Sequence, residues 1–147
     1  MAKPKEKNLI KKIENVIIPG FNIRDALQVI IGATILAVPI GFTEETWTLG
    51  STLPLSNIIG IFLISLLFIS TFTYYHYHKK PSVLKNHFNK FLNRTISTYI
   101  LSFIIVAVIL SLIQKAPWLS DTLLAFKRTV IITLPATMSA AVADTLN

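Results

Sequence analysis

Three stretches of this chain, residues 26–42, 58–75 and 96–113, contain no charged residue at all. A helix rises about 1.5 Å per residue, so an apolar run of roughly 17 to 20 residues crosses most or all of a hydrocarbon core about 30 Å thick. A soluble domain of comparable length would scatter charge through its helices and strands. Here 52% of residues are hydrophobic and only 14% charged, so lipid is the expected solvent. In lipid every backbone polar group must find an internal partner, which makes helices the expected form of these runs. A fourth run, residues 129–143, is shorter, carries Pro135 and is rich in Ala, Ser and Thr. Ser120-Asp121 ahead of it has the form of a helix N-cap and would lengthen it into a span. The other reading of this run is a re-entrant or interfacial segment. The expected fold class is therefore all-α: a polytopic membrane helix bundle of about four transmembrane helices plus interfacial amphipathic helices.

Basic residues next to spans are retained on the cytoplasmic side. Six of them (Lys3, Lys5, Lys7, Lys11, Lys12 and Arg24) precede the first span, and five (Lys79, Lys80, Lys85, Lys90 and Arg94) lie between the second and third. The loop between the first two spans has none, and the last loop has Lys115, Lys127 and Arg128. This asymmetry predicts a multi-pass protein of the cell membrane with both termini cytoplasmic. It also accounts for the formal charge of +7 without a nucleic-acid partner, because these residues face anionic headgroups of the lipid bilayer.

The chain divides at residue 22. In residues 1–22, Leu9, Ile10, Ile13, Val16 and Ile17 recur at helical spacing with Lys11, Lys12, Glu14 and Asn15 between them, which describes a cytoplasmic amphipathic segment on the interface. Residues 23–147 form the four-span transmembrane domain. A second interfacial helix is expected where Leu84, Phe88, Phe91 and Leu92 alternate with Lys85, Asn86, Asn89 and Lys90. Several charges and no unbroken apolar core in the first 25 residues argue against a cleaved leader. Tyr74, Tyr75 and Tyr77 read as an interfacial aromatic belt, and His76 and His78, two residues apart, do not share a helix face as a ligand pair would.

Polar residues at the edge of a span carry most of the functional information. Thr43, Glu44, Glu45, Thr46 and Trp47 leave the first span with no basic residue in their loop, so the outer mouth is expected to be anionic and to attract a cation. Ala33, Ala37 and Gly41 lie four apart beneath Glu45, and small residues at that spacing let helices approach closely. Several copies meeting on that stripe would set a ring of Glu45 carboxylates over the contact, and acidic rings select cations in many pores. Glu45 is thus the first-choice selectivity residue and a candidate metal ligand for a bound divalent or monovalent cation, with Glu44, Thr43 and Thr46 behind it. The same residues also suit a plain interfacial role, as an aromatic belt and a helix start. Asp25 is expected to pair with its neighbour Arg24. Asp144, four beyond Ala140, either extends a close-packed interface or lines an inner vestibule.

The string Thr43-Glu44-Glu45-Thr46-Trp47 resembles the Thr-x-Glu-Ser/Thr-Trp filter of voltage-gated sodium and calcium channels, although those filters lie between two pore helices and this one follows a span directly. A broader resemblance runs from Arg24 to the carboxyl end. Arg24-x-Ala26-Leu27, then Pro39-x-x-Phe42-Thr43-x-Glu45-x-Trp47-x-Leu49-Gly50, then Leu134-Pro135-Ala136 resemble an uncharacterised prokaryotic family of integral membrane proteins with a Phe-Thr-x-Glu-x-Trp signature. That resemblance implies a multi-span membrane protein and carries no activity.

The expected function is a homo-oligomeric membrane channel or transport protein for inorganic cations. The alternative is a non-conducting scaffold or partner-binding subunit. No enzyme is expected, because the spans hold neither a Ser/His pair nor paired Asp at membrane depth. No prosthetic cofactor is implied, and the absence of cysteine removes thiolate chemistry.

Overall fold

The computed structural model describes residue 8 and residues 21–78 and 88–145. They form five α-helices: α1 (Ile23–Gly41), α2 (Glu44–Thr52), α3 (Leu55–His78), α4 (Phe88–Leu112) and α5 (Thr122–Thr145). Four of these, all but α2, are long and apolar enough to cross a membrane. The N-terminal amphipathic segment and the Leu84 end of the central loop lie outside the described residues.

Helix boundaries decide between two readings of the fourth run in favour of the span, and correct one expectation. The fourth run is part of a 24-residue helix, not a short re-entrant piece. It begins where the sequence placed a cap: the Asp121 carboxylate accepts the Leu124 N–H at 2.9 Å, satisfying one of the donors a helix start leaves over. Pro135 sits inside α5, where its ring removes only one N–H from the ladder. At the other boundary, Phe88, Phe91 and Leu92 open α4 itself, so no separate interfacial helix includes them. The continuous apolar periodicity beyond Thr95 carries the helix back through this polar start. Helix α4 stops at Leu112, and Gln114 takes a left-handed conformation (φ 58°) that lets the Lys115 N–H reach the Leu110 carbonyl at 2.8 Å.

Helix α5 is the centre of the bundle and touches each of the other four helices, most extensively α1. Small residues make that pairing possible. Ala33 and Ala37 of α1 and Ala136 and Ala140 of α5 have no exposed surface and belong to one apolar core with Val29, Val106, Leu110 and Ile132. At Gly32 the helices are closest: a Cβ there would stand 2.7 Å from the Ala143 Cβ and 2.8 Å from the Ala140 Cα. Close approach by small residues replaces the bulky side-chain packing of a water-soluble core. Many large aliphatics point outward. On α4, Ile96, Ile100, Ile104, Val108 and Leu112 form an exposed row spaced by four, and Ile59, Leu63 and Leu67 do the same on α3. A surface of that kind requires hydrocarbon around it.

The antiparallel course puts the start of α1, the end of α3, the start of α4 and the end of α5 together. That is called the terminal end below; the opposite end, with α2, is the hairpin end.

Candidate functional site

At the hairpin end, α1 and α2 meet in a braced corner. Thr43 adopts an extended backbone (φ −89°, ψ 137°) as the N-cap of α2. Its hydroxyl donates to the Ile40 carbonyl at 2.8 Å and lies 2.7 Å from the Thr46 hydroxyl. The Trp47 indole N–H donates to the Gly41 carbonyl at 2.8 Å. Thr46 is buried and Thr43 partly so, and their two hydroxyls hold the corner. Glu44 and Glu45 are exposed on the first turn of α2, where negative charge complements the unpaired N–H groups of a helix start. Together with Thr48 and Leu49 they line an open recess of about 480 Å³.

The electrostatics of this mouth differ from the expectation. Its own loop has no basic residue, but the fold brings three from the last loop and α5. Lys115 places its ammonium 3.9 Å from the centre of the Trp47 ring. Arg128 donates to the Trp47 carbonyl at 3.2 Å and to the Lys115 carbonyl at 2.8 Å. Lys127 donates to the Leu53 carbonyl at 2.8 Å. Gly50 leaves room for the Arg128 side chain to lie across α2, where a Cβ would collide with the Arg128 Cγ. These cations are spent on carbonyls and a ring, and no ion pair to Glu44 or Glu45 occurs among the described residues. The mouth is therefore mixed in charge, with its two carboxylates uncommitted.

The small-residue stripe also finds a different use. Ala33, Ala37 and Gly41 are buried against other helices of the same chain, so Glu45 does not stand over a free self-association face. Among the described residues no three His, Asp or Glu side chains converge as a metal site.

The terminal end holds a cluster that the sequence did not reveal. Arg94 binds Asp144 through two nitrogens: Nε to Oδ2 at 3.0 Å, and Nη2 to Oδ1 at 2.7 Å and Oδ2 at 2.6 Å. Its Nη1 lies 3.8 Å from Oδ2 of Asp25. The three side chains are only 12 to 18% exposed. Asp25 also accepts the Asn22 N–H at 3.0 Å, closing the start of α1. Asp144 is thus an ion-pair partner more than a packing residue, Asp25 faces Arg94 from another helix, and Arg94 belongs to the bundle and not to a solvated loop. Sequence separation hides this: Arg94 and Asp144 are 50 residues apart. The available signal was that α1, α4 and α5 each carry a charge of fitting sign within two turns of the same end.

Hydroxyls run from this cluster into the bundle. Thr95, Thr98, Tyr99 and Ser102 share the buried face of α4 at i, i+3, i+4 and i+7. Ser65 and Thr73 of α3 and Thr129, Thr133 and Thr137 of α5 are buried too. Those of α5 return their protons to their own helix, at 2.7 to 2.8 Å from the carbonyls of Ala125, Thr129 and Leu134. The Thr95, Tyr99 and Ser102 oxygens are buried without a hydrogen-bond partner among the described residues. The spacing by three and four was visible in the sequence, inside a run read only for its lack of charge.

A family model described as "Putative integral membrane protein (DUF2391)" matches residues 3–146, nearly the whole chain. The chain belongs to the DUF2391 family. No curated protein and no solved structure matches it significantly. In this DUF2391 protein the Phe42-Thr43-x-Glu45-x-Trp47 string forms the α1–α2 corner. Thr43 and Trp47 brace it through the Ile40 and Gly41 carbonyls, whereas Glu45 has no bond inside it and projects from a fixed platform.

Proposed function

We propose that this DUF2391 protein carries cations across the cell membrane, working as a homo-oligomer and without a catalytic step. The observation that supports the reading is the set of hydroxyls buried inside the bundle. Its outside is aliphatic, while threonine, serine and tyrosine hydroxyls stand inside among buried aliphatic and alanine residues, three of them unpartnered among the described residues. Hydroxyl oxygens are cation ligands, and a buried polar group without a partner is unfavourable unless something is bound to it.

Glu45 recruits cations at the hairpin end, with Glu44 beside it. Both carboxylates are exposed on a braced corner, and both lack an ion-pair partner among the described residues. Thr43 and Thr46 serve by fixing the corner. Cation flux into liposomes tests this reading. Wild type should conduct, Glu45→Gln should reduce the flux, because it removes a carboxylate from the mouth, and Glu44→Gln should reduce it less. No flux from wild type, together with co-purification of another membrane protein, would favour the non-conducting scaffold instead.

A further inference from the structure

Between α4 and α5 the chain reverses through residues 113–121, and this turn is folded back onto the end of the bundle. The Trp118 indole N–H donates to the Ser111 hydroxyl at 2.9 Å, which returns the turn to the level of the last turn of α4. Ala116 is buried in the apolar core, and Ile113 and Trp118 pack against that core. Leu119, by contrast, is fully exposed, and so are large parts of Leu112 at the end of α4 and of Leu123 and Phe126 at the start of α5. The turn thus carries an apolar patch at the hairpin end that nothing in the bundle covers.

A turn built for water leaves its peptide groups to solvent, and this one does not. The N–H groups of Ile113, Gln114, Lys115, Ala116, Trp118 and Asp121 donate to carbonyls of the last turn of α4 and of the turn itself, at 2.8 to 3.2 Å. Arg128 takes the Lys115 carbonyl, and the Thr122 hydroxyl takes that of Trp118 at 2.9 Å. The two charged side chains of the turn are engaged by the protein as well. Lys115 lays its ammonium over the Trp47 ring, and the Asp121 carboxylate accepts the Leu124 N–H. Backbone satisfied from within is what the edge of a bilayer demands, and Trp and Lys are the side chains that headgroup depth favours.

We propose that the α4–α5 turn is seated in the membrane and that its patch is covered by the lipid acyl chains of the leaflet at the hairpin end. Leu119 inserts below the headgroups, while Trp118 and Lys115 lie among them. The patch continues a surface that already faces hydrocarbon: Leu112 is the last member of the exposed row on α4, and the Phe126 ring, 6.0 Å from that of Phe103, carries the same surface onto α5. Depth agrees. The charge-free run 96–113 measures about 27 Å as a helix, slightly less than a hydrocarbon core of about 30 Å, and the apolar turn makes up the difference. The proposal goes beyond the transport reading and does not depend on it.

Quenching of a single fluorophore tests it in the full chain, whose lack of cysteine allows one labelled position at a time. Leu119→Cys, Ser51→Cys on the exposed polar side of α2, and Ile104→Cys in the middle of the α4 row each carry the polarity-sensitive NBD group in phosphatidylcholine liposomes. Aqueous iodide on both faces of the membrane and lipids spin-labelled on the acyl chain serve as the two quenchers. The probe at Leu119→Cys should emit to the blue of that at Ser51→Cys, lose most of its emission to the spin-labelled lipids as Ile104→Cys does, and be shielded from iodide. Ser51→Cys should show the opposite order. If Leu119→Cys does not fold, Ser120→Cys, exposed on the same turn, decides by the same two quenchers. Iodide quenching as strong as at Ser51→Cys would put the turn in water and overturn the proposal. Shielding from both quenchers would overturn it too, because the patch would then be covered by protein, a second copy or another chain, and not by lipid.

Discussion

Single residues at the two ends of the bundle differ in what they hold. Removing one partner of a buried ion pair strands the other, at a cost of about 3 to 5 kcal/mol in well-buried cases. Arg94 and Asp144 keep 12% exposure, so Asp144→Leu should lower stability in detergent by about 3 kcal/mol, the bottom of that range. Chemical unfolding of the two proteins measures the difference. Glu44→Gln and Glu45→Gln lose only a favourable position at a helix start, about 0.5 kcal/mol each. Any large effect of Glu45→Gln on ion passage would therefore not be a folding defect. Gln114 offers a test of opposite sign. Its left-handed backbone costs a non-glycine residue about 1 kcal/mol, so Gln114→Gly should raise stability by up to that amount.

At the scale of helices, the contact of α1 with α5 depends on missing atoms. A Cβ at Gly32 would fall within 2.9 Å of the Ser139 carbonyl oxygen and closer still to Ala140 and Ala143, two of these contacts being backbone atoms that cannot turn aside. Gly32→Ala should thus force the helices apart and cost about 1 to 3 kcal/mol, as overpacking does. Gly60 of α3 has nothing within 4 Å of its would-be Cβ, so Gly60→Ala should be neutral or stabilise by up to about 1 kcal/mol. Thermal midpoints of the two variants in one detergent separate them. Ala37→Leu and Ala140→Leu insert bulk into the same contact and should follow Gly32→Ala. The small residues that mark this interface were legible in the sequence at a spacing of four, and so were the charge-free runs and the Asp121 cap. Which helix would cover the stripe was not, because small residues advertise close approach without naming a partner. Arg94 shows the same limit: its charge was visible, but pairing with Asp144 depends on α4 and α5 lying side by side. Lys115, Lys127 and Arg128 were counted for orientation, and only the fold shows Lys127 and Arg128 donating to carbonyls around α2 and Lys115 lying over the Trp47 ring.

For the whole molecule, the surface differs from that of a water-soluble domain: aliphatic rows lie outside, while buried hydroxyls stand among the aliphatic and alanine residues inside. Such a surface is stable only in hydrocarbon, and transport by this bundle requires the hairpin end and the terminal end to lie on opposite sides of a bilayer. The basic residues of the N-terminal tail and central loop predict that the terminal end faces the cytoplasm. Because the chain contains no cysteine, single cysteines can report this directly. Ser51 is exposed at the hairpin end and Asn89 at the terminal end. In sealed cells a membrane-impermeant thiol reagent should label Ser51→Cys from outside and leave Asn89→Cys unlabelled until the cells are opened. Labelling of both positions from outside, or of neither, would contradict a four-span bundle with its two charged ends on opposite faces of the membrane.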